Sequence, residues 1–135
     1  MIAKTLKIRG YHCDSYGHVN NARYLELLEE ARWQALDPLL HSRYFVENKL
    51  LFIVVNINVN YKAEVIPNDI VDITVDVESY GRKSITFYQK IVNQRSGKIA
   101  VDAHVKFVLL NEDTKQMVTV DDELKELFNQ LKNED

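Results

Sequence analysis

The sequence predicts an α+β fold, a five-stranded antiparallel sheet wrapped around a long central helix and closed by an amphipathic C-terminal helix. Three observations predict it. Apolar and polar residues alternate with period two in the second half of the chain, as in Val71, Ile73, Val75 and Val77 set against Asp72, Thr74, Asp76 and Glu78. The apolar residues between Leu25 and Leu36 cover more than one narrow stripe, as expected of a helix enclosed by neighbours. Glycine-bearing turns of hairpin length separate the later strands.

Each element follows in chain order. A first strand lies upstream of Asp14. The long helix starts at Asn20 or Asn21, whose short amides can accept a hydrogen bond from a first-turn N–H, and runs to about Leu36. A shorter helical stretch follows Pro38 through Leu39, Leu40, Tyr44, Phe45 and Val46. From 53 to 61 the odd positions Ile53, Val55, Ile57, Val59 and Tyr61 are apolar, with Asn56, Asn58 and Asn60 between them, so a half-buried strand with its odd residues inward is expected. Ile66-Pro67-Asn68-Asp69 breaks the chain before the next strand. Tyr80-Gly81-Arg82-Lys83 and Arg95-Ser96-Gly97-Lys98 then make the last three strands antiparallel neighbours, ending on Ile99, Val101, Ala103, Val105, Phe107 and Leu109. The final segment carries Leu124, Leu127, Phe128 and Leu131 behind the acidic Asp121-Asp122-Glu123, the pattern of an amphipathic helix with a favourable dipole at its start.

Composition narrows the classes of function. A chain of 135 residues is the size of one domain, 1–135, and its formal charge of −3 argues against nucleic acid, whose binders carry a basic stripe. Cys13 is the only cysteine, so no internal disulfide is possible, and Met1-Ile2-Ala3-Lys4-Thr5-Leu6-Lys7 lacks the apolar run of a secretion signal. A cytoplasmic location and no membrane span are expected. His12, His18, His41 and His104 are scattered without metal-ligand spacing, and glycine-rich phosphate loops are absent, so neither a metal nor a cofactor is expected.

The chemistry concentrates in Asp14-Ser15-Tyr16-Gly17-His18-Val19-Asn20-Asn21. A helix starting there presents free backbone N–H groups and partial positive charge, which would polarise a carbonyl oxygen placed against Asn21. Asp14, seven residues upstream, can supply a nucleophile or a general base to the same carbonyl carbon. An acid before a helix is commonly a cap, which is the plain alternative for Asp14. His18 is a candidate general base, though a histidine in such a turn more often hydrogen-bonds or lines a site. Glu26, Glu29 and Glu30 on the helix read first as a solvated face, with Arg32 in ion-pairing distance of Glu29 by spacing. Arg82 and Lys83 are the leading cationic candidates for phosphate groups, ahead of Lys62, Arg95 and Lys98. Leu25, Leu28, Trp33, Phe45 and Phe52 are possible linings of an apolar tunnel.

The run Arg9-Gly10-Tyr11-His12-Cys13-Asp14, followed by Gly17-His18-Val19-Asn20-Asn21 and Tyr24-Leu25, resembles the hotdog-fold acyl-CoA thioesterases of the 4-hydroxybenzoyl-CoA thioesterase type. Together with Leu27-Leu28-Glu29-Glu30-Ala31-Arg32-Trp33 and 54–61, it is most similar to the bacterial long-chain acyl-CoA thioesterase III group. Many members carry an acid two positions before the catalytic aspartate, where this chain has His12. The resemblance implies Asp14 as the catalytic carboxylate, the Asn21 backbone N–H as the group polarising the carbonyl, and an acyl-CoA substrate with a medium-to-long or aromatic acyl group. Tyr24, Arg82 and Lys83 are the expected substrate-binding residues. It also implies a homodimer, possibly a homotetramer, with sites at the subunit boundary. Unpaired sheet edges favour pairing too, as do the apolar residues Val54, Tyr88, Val92, Val108 and Leu110 expected on the outer face. The alternatives are an acyl-CoA-binding module without turnover, a thioesterase acting on acyl carrier protein, and a hydratase or dehydratase.

Overall fold

The computed structural model describes residues 1–133. Its elements are β1 (Ile2–Lys7), a 3-10 turn (Gly10–His12), α1 (Asn21–Leu40), α2 (Arg43–Glu47), β2 (Leu50–Tyr61), β3 (Ile70–Thr74), β4 (Asp76–Tyr80), β5 (Ile85–Asn93), β6 (Ile99–Asn111) and α3 (Asp122–Asn129), followed by a second 3-10 turn. The fold is α+β. The antiparallel sheet runs β1-β3-β5-β6-β2, with β4 also paired to β5, and α1 packs on one face.

The sheet has six strands where five are expected, because the 71–77 strand breaks at Val75. Val75 gives its N–H to the Met1 carbonyl, and the Lys90 N–H goes to Thr74 Oγ1, so two rungs leave the β5 ladder and the strand becomes β3 and β4. Gln89, fully buried, spans this break by donating to the Thr74 and Leu28 carbonyls.

A second departure lies in β2. Val54 pairs with Phe107 and Asn56 with Lys106, which makes Val55 the extra residue of a bulge. Alternation therefore changes phase. Ile57 and Val59 face the inward row of β6, but beyond the bulge the inward residues are Val54 and Phe52, while Ile53 and Val55 lie exposed. Val54 accordingly belongs to the core side, not to the outer face. The helix differs as well. Pro38 lies inside α1, near its end, where the missing N–H removes only one late bond, and the chain turns at His41 before α2. The buried residues Tyr24, Leu27, Leu28, Ala31, Ala35, Leu36 and Leu39 form one stripe, so a single chain leaves Leu25 and Trp33 exposed rather than enclosing the helix.

At one end of the sheet, Phe52, Phe87, Phe107 and Phe128 stack into an aromatic cluster, with ring centroids as close as 4.0 Å. Helix α3 seals that end through Leu124 and Phe128, capped by Asp121 accepting from the Leu124 N–H. The opposite end is tied by Asp69, which accepts from Arg95, Asn93 and the Ile66 N–H. Arg95 holds the Asp69 carboxyl down at about 2. Among the described residues no helix is long and apolar enough to cross a membrane, and no cluster could hold a metal ion.

Candidate active site

Residues 13–19 form a tight hairpin rather than the end of β1. Cys13 and Val19 bridge, the Asp14 N–H reaches the His18 carbonyl at 2.9 Å, and the Gly17 N–H returns to the Asp14 carbonyl at 3.0 Å. Gly17 takes φ 78°, a conformation costly for residues with a Cβ. Asp14 Oδ1 accepts from the Tyr16 N–H at 2.9 Å, which fixes the exposed carboxylate and leaves its second oxygen open. The hairpin is anchored by Val19 N–H to Val65 and Asn20 N–H to His12.

Asn20 is the helix cap, with its Oδ1 accepting from the Ala22 N–H, and its carbonyl accepts from Arg23 and Tyr24. This leaves the Asn21 N–H with no hydrogen-bond partner among the described residues, at the positive end of a 20-residue helix. An open cleft of about 300 Å³ lies against it, lined by His18, Asn21, Tyr24, Tyr61, Lys62 and Glu64 among others. Asp14 does not line this cleft directly but joins it through its bond to His18.

The other expected residues fall as follows. His18 Nε2 lies 2.8 Å from Glu64, so only Nδ1 remains open. Tyr24 is 4% exposed, and burial pushes its hydroxyl up to about 12; it lines the cleft beside Tyr61, ring centroids 5.7 Å apart. Arg82 and Lys83 sit at the β4–β5 turn, against Val120, at the far end of β5 from Asp69 and Asn93. The eight steps of β5 alone span roughly 26 Å, so one chain does not bring this pair to Asp14. Tyr61, whose hydroxyl donates to the Asn21 carbonyl, and Glu64 are site residues that sequence reasoning missed. They come from forty residues further on, and only the end of the alternating strand at Tyr61 hinted at them.

His12 is buried, and its Nδ1 accepts from the Arg9 N–H at 2.8 Å. Burial and then the neighbouring Arg23 charge lower its basicity, which favours the neutral ring. Cys13 beside it is pushed up by burial and by Asp14, so its thiol is a poor nucleophile.

An acid on a fixed turn and a free helix N–H that opens into a neighbouring cleft suit attack on an activated carbonyl. The thioesterase-like superfamily matches residues 8–128, and the chain belongs to it; the class this defines is a thioester hydrolase. Over 126 residues, 93% of this chain and 96% of the relative, it is 38% identical to the long-chain acyl-CoA thioesterase FadM of Escherichia coli K12. It also matches the crystal structure of YbaW, a probable thioesterase from Escherichia coli, at 36% identity and TM-score 0.87, covering 97% of this chain and 98% of that one. A Staphylococcus aureus protein, SAV2348, solved in complex with CoA, shares the fold at TM-score 0.81 and 14% identity, with 97% of this chain and 85% of that chain covered.

Proposed function

We propose that this chain is a cytoplasmic acyl-CoA thioesterase that releases coenzyme A from medium-to-long-chain or aromatic acyl groups. The observation that carries the reading is the unpartnered Asn21 N–H at the capped start of α1, opening into a cleft joined to the Asp14 turn. With the thioester oxygen on that N–H, the Asp14 carboxylate attacks the carbonyl carbon. Electrons move onto the oxygen, and the tetrahedral oxyanion is held by the helix end. Collapse breaks the C–S bond, expels the thiolate and leaves a mixed anhydride, which water opens to the acid with Asp14 restored. The alternative route has Asp14 take a proton from water as water attacks. Both end in acid and thiol, and the thiolate leaves readily without a strong acid nearby. His18, tied to Glu64, assists at most through Nδ1.

The same reading favours a homodimer, and a tetramer of two dimers beyond it. Exposed Leu25, Trp33, Ile53, Val55 and Ile57 lie on α1 and the edge strand β2, a surface that a second copy would cover. A partner could then bring Arg82 and Lys83 to the coenzyme A phosphates. Release of free thiol from a panel of acyl-CoA and acyl carrier protein thioesters tests the activity, and light scattering at low micromolar concentration tests the assembly. A chain that binds acyl-CoA without releasing thiol would overturn the first, and a fully active monomer the second.

A further inference from the structure

Once Asp14 has attacked a thioester, its carboxylate is held in the mixed anhydride and cannot take a proton from the water that opens it. The water step calls for a second base, beside Asp14 and open to solvent. The groups around the Asn21 cleft leave few choices. Lys62 is bonded to Asp102 at 2.7 Å, and the hydrogen bond and charge of Asp102 raise its pKa, so it stays a cation with no lone pair to offer. Tyr24 is buried with its hydroxyl pushed up to about 12, and stays a neutral phenol. The Tyr61 hydroxyl donates to the Asn21 carbonyl. A second cleft along α1, between Arg32 and Phe52, carries Glu29, but Glu29 lies eight residues beyond Asn21, about 12 Å by helix rise. His18 and Glu64 remain.

These two are bonded to each other, His18 Nε2 to a Glu64 carboxylate oxygen at 2.8 Å. An ionised carboxylate only accepts, so the shared proton belongs to Nε2 and the neutral ring carries its lone pair on Nδ1. Nδ1 has no hydrogen-bond partner among the described residues. The backbone holds both side chains from behind: the Val19 N–H reaches the Val65 carbonyl at 3.2 Å, and the Lys62 and Ala63 N–H groups share the Ala100 carbonyl. The hairpin also sets His18 opposite Asp14. Cys13 pairs with Val19, the Asp14 N–H bonds to the His18 carbonyl at 2.9 Å, and Val19 is buried while Asp14 and His18 are exposed, as the two faces of a ladder alternate. Facing residues of an antiparallel pair stand about 5 Å apart at Cβ, which leaves room for one water between the ring nitrogen and an acyl group on Asp14.

We infer that His18 is the general base of the water step and that Glu64 is the positioning residue that fixes its tautomer and orientation, which rests on the thioesterase reading with Asp14 as nucleophile. Water gives one proton to His18 Nδ1 as its oxygen bonds to the acyl carbon, and Glu64 faces the imidazolium that forms. Collapse of the tetrahedral intermediate breaks the bond between the acyl carbon and the Asp14 oxygen, returns the electron pair to the Asp14 carboxylate and releases the carboxylic acid. His18 then passes its proton to the coenzyme A thiolate or to solvent.

Thiol leaves before this step, so kinetics separate the two halves of the reaction. Stopped-flow thiol release from a long-chain acyl-CoA, with steady-state kcat and KM, is compared in the native chain, His18→Ala, Glu64→Gln and Glu64→Asp. His18→Ala is expected to lower kcat at least about tenfold and Glu64→Gln about fivefold, with kcat/KM within about twofold of native in both. Each should release one thiol per site in a burst before slow turnover. Glu64→Asp keeps a negative charge facing the ring and is expected to recover part of kcat. His18 and Glu64 are exposed, and such a pair contributes little to stability, so melting temperatures should hold. A fall in kcat/KM matching that in kcat, absence of the burst, or native kcat in both His18→Ala and Glu64→Gln would overturn the inference, while thiol release by the native chain kept the hydrolase reading standing. A native chain that releases no thiol would overturn both.

Discussion

The two clefts along α1 are built in opposite ways. The one at Asn21 is set up by local backbone, a hairpin of seven residues, a capped helix start and one free N–H, with Tyr61, Lys62 and Glu64 completing its wall. The one at Arg32 is lined by residues that α1 and β2 bring together from 29–33 and 52–54, with Arg32 held in turn by Gln89 of β5. A site made of local backbone can be read from a short motif and survives many substitutions around it. A site made of distant side chains depends on register, and each wall can be altered separately.

That contrast is open to experiment. The largest effect belongs to the first cleft, where Asp14→Asn is expected to lower turnover by at least about a hundredfold, measured by thiol release. The asparagine retains an Oδ1 for the Tyr16 N–H, so the melting temperature should hold. Near-normal turnover would remove Asp14 from the chemistry, and His18→Ala is expected to cost less. In the second cleft, Phe52→Ala removes a ring that packs 4.0 Å from Phe107 and against Trp33 and is expected to destabilise by roughly 2 kcal/mol. It should also raise KM for long acyl chains more than for short ones; an equal rise for both would separate this cleft from acyl binding. Asn20→Ala returns to the first cleft with a smaller change, about 1 kcal/mol in denaturant unfolding, because the Ala22 N–H loses its cap.

The smallest effects are in pH dependence. His12 titrates below its ordinary value when folded, so the unfolded chain binds the proton more readily, and stability present above about pH 6.5 declines as pH falls through the folded value. Asp69, held at about 2 by Arg95, adds stability that is full above its ordinary 3.8 and is lost as pH falls towards 2. Melting temperature against pH should therefore fall in two stages, and His12→Gln should erase the upper one alone. A single stage in the native chain would contradict the two assignments.

How much could be read beforehand follows the same division. Asp14, His18 and the Asn21 helix start were legible because contiguous residues carry both the turn chemistry and the cap. The hairpins around Gly81 and Gly97 were legible for the same reason. Straight alternation through β2 predicts Ile53 and Val55 inward, and nothing within the strand's own residues announces the bulge that turns them out. The break at Val75 depends on Met1, and the exit from α1 depends on how well its last turn tolerates Pro38. Arg32 leaves a usable trace in the sequence: it falls on the helical phase of Leu28, Ala35 and Leu39, where a charge is out of place. Gln89 left another, occupying an inward position between Phe87 and Ile91.

The surplus residue in β2 also bears on how the chain can vary in length. Val55 has no partner in β6, and the inward faces on either side of it are already set, Val54 and Phe52 before it, Ile57 and Val59 after it. Removing Val55 would close the ladder into plain alternation with every one of those side chains on its present face, at the expense of some local twist. Removing a residue from the paired core of β6 offers no such slack and would turn its inward row outward. Insertions and deletions among descendants of this sequence are therefore expected to collect at position 55, where the edge strand holds one residue in reserve.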